Sequence, residues 1–246
     1  MQWRELGYAP WDRLDTRSLR DIDAVCSAVA LHRPDVESQT PSLQANPSAV
    51  LVALFAVRGE PHVVLTRRSA ALTTHQGQIA FPGGRLESNE TSLQAALRET
   101  HEEVGLDARG ARVVGELTAH KTISSSSHIV PHVVLLPHEP NDFVINGEVE
   151  RVFSVALSEL IRPDTYAQEH WVFPDREVVV PMFYLDDETI WGATARILQE
   201  LILVSLARYR FHDRRVTWFS GSCRESNGME EQHRPRIAAE ARGVAS

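Results

Sequence analysis

The chain has 246 residues, 43% of them apolar and 24% charged, which is enough to bury one substantial core, and its formal charge of -8 has no basic block to offset it, which argues against a nucleic-acid surface. A phosphorylated small molecule needs only a local positive pocket, and because Lys121 is the single lysine, its cationic contacts must come almost entirely from arginine forks. Cys26 and Cys223 stand far apart in no metal-ligand spacing, which argues against a disulfide framework or a zinc site.

In chain order, Ser18 to His32 has helical spacing, with Leu19, Ile22, Val25, Cys26 and Val29 on one side. Arg33 to Pro47 is polar and reads as a linker. Ala49 to Val57 is a continuous, β-branched run, as expected of a strand covered on both faces. It is also the longest unbroken apolar run, about half the ~20 residues of a membrane helix. Arg58-Gly59-Glu60-Pro61 is turn chemistry, and His62 to Thr66 reads as the returning strand. Ser69 to Arg85 looks like a loop ending in Phe81-Pro82-Gly83-Gly84. A helix capped by Ser88 or Asn89 then runs to Val104, burying Leu93, Ala96, Leu97, Thr100 and Val104 and stopped by Gly105. Further strands are predicted at Ala111–Leu117, His128–Leu136, Val152–Val155 and Glu177–Leu185, and a last helix from Thr189 to about Tyr209. The segment from His212 to Ser246 is polar, without a sustained period, and reads as mobile or disordered. Mixed strands with flanking helices predict one α/β sandwich. The start, Met1-Gln2-Trp3-Arg4-Glu5, lacks the basic-then-apolar plan of a signal peptide, so a cytoplasmic location is expected.

The chemistry is carried between Gly84 and Leu106. At ~100° per residue, Glu99, Glu102 and Glu103 fall within roughly a third of a helix turn of one another. Like charges ~4 Å apart at an effective dielectric of ~20 repel by about 4 kcal/mol. A hard divalent cation removes that repulsion, and an all-oxygen donor set suits Mg2+ or Mn2+. Taken alone, such a cluster is more often a solvated acidic face.

The neighbours change that reading. Gly84, Glu90, Arg98, Glu99, Thr100, Glu102, Glu103, Gly105 and Leu106 resemble the Nudix box position for position, with Thr100 at a place that is usually apolar. The resemblance implies a Nudix-type α/β/α sandwich with a mixed sheet. Residues 1–48 would be an N-terminal helix and linker packing on the domain, 49–210 the hydrolase domain, and 211–246 a mobile polar tail. It implies Glu99 and Glu103 as core ligands to Mg2+ or Mn2+, Glu102 completing the cluster, and Gly83 offering its carbonyl. Arg98 would hold the carboxylates and pair with Glu90. The reaction would be hydrolytic substitution at phosphorus, with Glu102 or Glu99 as the favoured base. Glu148 and Glu150 are candidates for a fourth acidic ligand, although each reads more simply as a loop charge.

The preceding segment is similar to the coenzyme A pyrophosphatase group within that superfamily. Leu65-Thr66, Arg68-Ser69, Gly77 and Phe81-Pro82-Gly83-Gly84 fit its pattern, as does Ile190 to Ala195. Thr73 stands where that pattern has an arginine. This resemblance implies coenzyme A or its thioesters as substrate. Arg68 and Arg67 become candidate phosphate contacts, with solvated strand-end charge as the simpler reading of each. Neither the proline typical of ADP-ribose enzymes nor the tyrosine of dinucleoside polyphosphate enzymes occurs in His120-Lys121-Thr122-Ile123-Ser124. ADP-ribose or NADH hydrolysis stands as the alternative, and behind it a non-catalytic nucleotide sensor. The partner expected is a small nucleotide, with neither nucleic acid nor membrane. Oligomeric state stays open, a homodimer included. His101 is expected to face solvent, Trp191 to pack in the core, and the Ser124–Ser127 run to cradle no phosphate, because it lacks glycine.

Overall fold

In β1 (Asn46–Val57) alternate side chains enter two different cores, as period-2 geometry requires of a strand covered on both faces. Val52 and Leu54 join the larger core, while Ala49, Leu51, Ala53 and Phe55 join the other. The computed structural model describes residues 9–34, 46–121, 127–172 and 177–206. Most of the expected linker, Ser124 to Ser126 of the serine run, and the whole segment from His212 fall outside them.

One edge of β1 pairs in parallel with β7 (Ser127–Leu135) along nine residue pairs, from Asn46↔Ser127 to Leu54↔Leu135. Its other edge is shared. The C-terminal part pairs with β2 (Glu60–Arg68), through a two-residue turn in which Arg58 and Gly59 both have positive φ, and the N-terminal part pairs with β4 (Gly83–Arg85). The segment expected as a loop thus contains two short strands, β3 (Ile79–Ala80) on β2 and β4 on β1. Outside β2 lies β8 (Val149–Ala156); outside β7 lie β5 (Arg112–Glu116) and β6 (His120–Lys121).

A second, antiparallel sheet is formed by β9 (Tyr166–Val172), β10 (Glu177–Tyr184) and β11 (Thr189–Ile190). Trp191 packs on Trp171 with ring centroids 5.4 Å apart, in keeping with the core reading. Helix α1 (Ile22–Leu31) and helix α4 (Gly192–Ser205) pack on one face of the main sheet, and α2 (Ser92–Val104) on the other; α3 (Leu157–Leu160) is a single turn. This is the expected α/β/α sandwich with a mixed sheet. No described helix is long and apolar enough to cross a membrane.

Among the boundaries that differ from the sequence reading, three have a clear local cause. The N-terminal helix is broken at Asp21, whose extended backbone ends a 3-10 turn (Arg17–Arg20) and whose carboxylate caps α1. The last helix begins at Gly192, because Thr189 and Ile190 are taken by β11. The box helix is capped by Thr91 rather than by Ser88 or Asn89. Asn89 sits at φ 66 in a turn, and Thr91 with Gln94 closes a reciprocal capping box.

Glu200 of α4 ties the N-terminal helix to the sandwich. Buried, it accepts hydrogen bonds from the Thr118 amide (3.0 Å) and hydroxyl (2.6 Å), and it faces His32 Nε2 at 3.1 Å and His120 Nε2 at 3.4 Å. Burial alone would push this carboxyl up. The nearby His120, together with the bonds from His32 and Thr118, outweighs burial and holds it at about 2, below an ordinary 4.5. A depressed carboxylate stabilises the fold above its unfolded value, and that contribution is lost as pH falls from 4.5 through about 2. Glu200→Gln should therefore cost roughly 3 kcal/mol near neutrality and flatten the acid limb of the stability curve. Urea melts between pH 7 and pH 3 check this; an unchanged acid slope would remove Glu200 as its source.

Candidate active site

Helix α2 presents its three box glutamates as a gradient from core to solvent. The side chains of Glu103, Glu99 and Glu102 are 7%, 21% and 55% exposed, so of the three only Glu102 is largely in contact with water. Gly105, at φ 70, stops the helix. Beyond it the amides of Val144 and Asn146 donate to the terminal carbonyls of Val104 and Glu103. That docking fixes the loop leading into β8. The loop's next residues are held as well: the Glu148 amide donates to Asn146 Oδ1, and the Glu148 carbonyl accepts from the Ser69 amide.

Strand β4 supplies the opposite wall. The Gly83 amide donates to Glu103 Oε2 at 3.1 Å. Gly84 lies flat against Glu99: a Cβ there would sit 2.5 Å from the Glu99 carboxyl carbon and 2.7 Å from each of its oxygens. Gly83 itself has φ +148, and a Cβ on it would meet the Ala49 carbonyl at 2.3 Å. The glycine pair thus has two separate causes, close pairing with β1 at Gly83 and room for a carboxylate at Gly84. The sequence offered only a spacing for the second, since the contact depends on how β4 pairs with β1.

Arg98 organises the exposed side. Its Nε and Nη2 grip the two oxygens of Glu90 at 2.9 and 3.0 Å, and Nη2 also donates to the Arg85 carbonyl. Nη1 reaches Glu99 at 3.0 Å and Glu102 at 3.2 Å. The Glu90 pairing, more than anything else, pushes the Arg98 guanidinium well above its ordinary value, so it is a permanent cation. Glu90 stands before the Thr91 cap, outside the helix, and reaches two turns along it.

Burial holds the Glu103 carboxyl up at about 7. The Gly83 amide and the Arg68 guanidinium oppose this, and Glu99 and Glu148 add to it. Arg68, at the end of β2, has Nη1 3.8 Å from Glu103 and Nη2 3.8 Å from Glu148. Arg67 is spent elsewhere, bonded to buried Glu188 at 2.9 Å and paired with Glu150 at 3.6 Å. Of the two candidate fourth ligands, then, Glu148 lies in the loop and is near the cluster, whereas Glu150 is not a loop charge but a residue of β8 that pairs with Arg67. His101 is exposed, as expected. Among the described residues no three His, Cys, Asp or Glu side chains are gathered on one point: Glu99 and Glu102 turn to Arg98, and Glu103 to the Gly83 amide.

Comparison with known proteins bears on this arrangement. A family profile described as NUDIX domain matches residues 45–176. The uncharacterised Nudix hydrolase NudL of Citrobacter koseri is 34% identical over 183 residues, covering 74% of this chain and 93% of that protein. The NudL of Yersinia enterocolitica is 35% identical over 194 residues, covering 77% of this chain and 96% of that protein. Among solved structures, a Caenorhabditis elegans Ap4A hydrolase binary complex aligns at 19% identity and a TM-score of 0.40, over 48% of this chain and 85% of that one. Matched over more than half its length by the domain profile, and covering the NudL proteins almost end to end, the chain belongs to the Nudix hydrolase family.

Proposed function

We propose that this hydrolase cleaves the diphosphate bond of coenzyme A or acyl-coenzyme A, giving adenosine 3',5'-bisphosphate and 4'-phosphopantetheine or its acyl form, with Mg2+ or Mn2+. The observation that carries the reading is the position of Arg68. This arginine of the coenzyme A-type segment lies 3.8 Å from Glu103, the innermost box glutamate. An arginine fork beside a cluster of carboxylates suits a diphosphate whose own charge is met partly by the fork and partly by divalent ions.

The residues present fit such ions. All donors are oxygens, from Glu99, Glu102, Glu103 and the Gly83 carbonyl. The cradle that Gly84 leaves for the Glu99 carboxylate is one a single methyl group would fill. Glu103, kept up at about 7 by burial, is a carboxyl that gains from a nearby cation. Glu99 and Glu103, one turn apart, would be the principal ligands, with Glu102 joining them. When bound, the ions supply charge neutralisation at the diphosphate and acidify water. Arg98 holds Glu99 and Glu102 in place through its Nη1, braced in turn by Glu90. Glu102, the most exposed of the three, is the residue we assign as proton acceptor from the attacking water, with Glu99 second. Arg68 binds and orients the diphosphate, while Arg67, locked to Glu188, shapes the strand end.

Product masses from coenzyme A, dephospho-coenzyme A, ADP-ribose and NADH, each with and without Mg2+ or Mn2+, test the proposal. Metal-dependent release of adenosine 3',5'-bisphosphate from coenzyme A is the expected result. Faster turnover of ADP-ribose or NADH would move the assignment to those substrates. Tight binding of one nucleotide with turnover of none would favour a sensor.

A further inference from the structure

Two arginines border the carboxylate cluster, and they are held in opposite ways. Arg98 is saturated, each of its three guanidinium nitrogens donating within 3.2 Å to Glu90, Glu99, Glu102 or the Arg85 carbonyl. Arg68 is not. Its Nη1 and Nη2 stand 3.8 Å from Glu103 and Glu148, within Coulomb range but beyond hydrogen-bond distance. Its Nε, like that of Arg67, is out of contact with solvent and has no hydrogen-bond partner among the described residues, but Arg67 keeps its Nη1 bond to Glu188 and Arg68 has none of that kind. A guanidinium carries five donors, and leaving one buried and unmet is costly unless something is to bind it. The backbone beneath is fixed. The Arg68 amide donates to the Gln78 carbonyl at 2.9 Å, and the Arg68 carbonyl accepts from the Gly77 amide at 3.0 Å. Only the side chain is free to change partners.

We infer that Arg68 is an exchangeable counter-cation: it neutralises Glu103 and Glu148 in the metal-free protein, and it turns from them to the diphosphate when a divalent ion takes its place. This rests on the proposed reading of the site as a metal-dependent diphosphatase and adds an order to its assembly. A positive guanidinium beside the carboxylates opposes entry of a dication, so the ion alone binds weakly. A diphosphate gives the displaced fork a new partner, so ion and diphosphate each strengthen the binding of the other, and by linkage they do so by the same factor. The device belongs to this cluster because Arg68 touches two acidic residues from different elements, α2 and the β8 lead-in.

The test is Mn2+ binding to the full chain, read from the electron paramagnetic resonance of free Mn2+, with and without methylenediphosphonate and corrected for the complex those two form in buffer. Arg68→Gln should bind Mn2+ alone about tenfold more tightly than the wild type and should lose most of the enhancement by the diphosphonate. Arg68→Lys, which keeps the charge, should stay near the wild type for Mn2+ alone. Mn2+ binding to Arg68→Gln that is equal to or weaker than wild type, or a Lys variant that tightens as much as Gln, overturns the exchange. Wild-type protein that binds no Mn2+ under either condition brings down the metal-dependent reading itself, an outcome the two variants cannot mimic.

Discussion

Glu103→Gln should lower kcat by roughly 10^3-fold or more, about 4 kcal/mol of transition-state stabilisation, while the protein stays folded. The expectation comes from placement. Glu103 is the most buried of the three box glutamates, it is fixed by the Gly83 amide at 3.1 Å, and it faces Arg68. Glutamine preserves the shape and can still accept from Gly83, so it removes a charge and little else. That charge is a liability to the metal-free fold. Burial holds the carboxyl up at about 7, above an ordinary 4.5, so ionising it across that range costs stability as pH rises. In chelator above pH 7 the variant should melt at the same temperature as the wild type or higher. Loss of activity with retained or improved stability marks a group kept for function rather than folding. Comparable turnover by folded Glu103→Gln would take this residue out of the reaction.

How much of this was legible in the sequence depends on the range of the interaction involved. The box helix was readable because its apolar period, its glutamate spacing and Gly105 all act within a few residues. β1 was readable because a continuous apolar run must be covered on both sides. The N-cap was not, since Ser88, Asn89 and Thr91 are all capping types, and only the turn that puts Asn89 at φ 66 selects Thr91. The two-residue strands β3, β6 and β11 carry too few residues for a period to show, and β9 was missed with them. Pairings across long separations were invisible for a different reason. Arg67 to Glu188 spans 121 residues and Glu200 to Thr118 spans 82, and each is created by the packing of elements on a common sheet. The two adjacent arginines look equivalent in sequence. Partner choice separates them, leaving Arg68 at the carboxylate cluster and Arg67 on Glu188.

The same local-against-distant distinction makes the two adjacent glycines a test of the site. Gly83→Ala should damage the fold. The new methyl would lie 2.3 Å from the Ala49 carbonyl oxygen and 2.6 Å from Val50 Cα, and φ +148 is a region that L residues rarely adopt. Both obstacles are backbone in the central strand, which cannot step aside, so a cost of about 3 kcal/mol or more is expected. Gly84→Ala should do the reverse. Its methyl meets only the end of the Glu99 side chain, 2.5 Å from the carboxyl carbon. That carboxylate can swing away with little change in stability, within about 1 kcal/mol. Displacing a catalytic group by an ångström is enough to cost about 10^2-fold in rate. Thermal melts and kcat measured on both variants should therefore cross, Gly83→Ala losing stability first and Gly84→Ala losing rate alone. Because Gly84→Ala is expected to act through Glu99, adding it to Glu99→Gln should lower the rate little further than Glu99→Gln does by itself. A Gly84→Ala enzyme with full kcat, or a double variant whose losses simply multiply, would show that the room beside Glu99 is not what Gly84 provides.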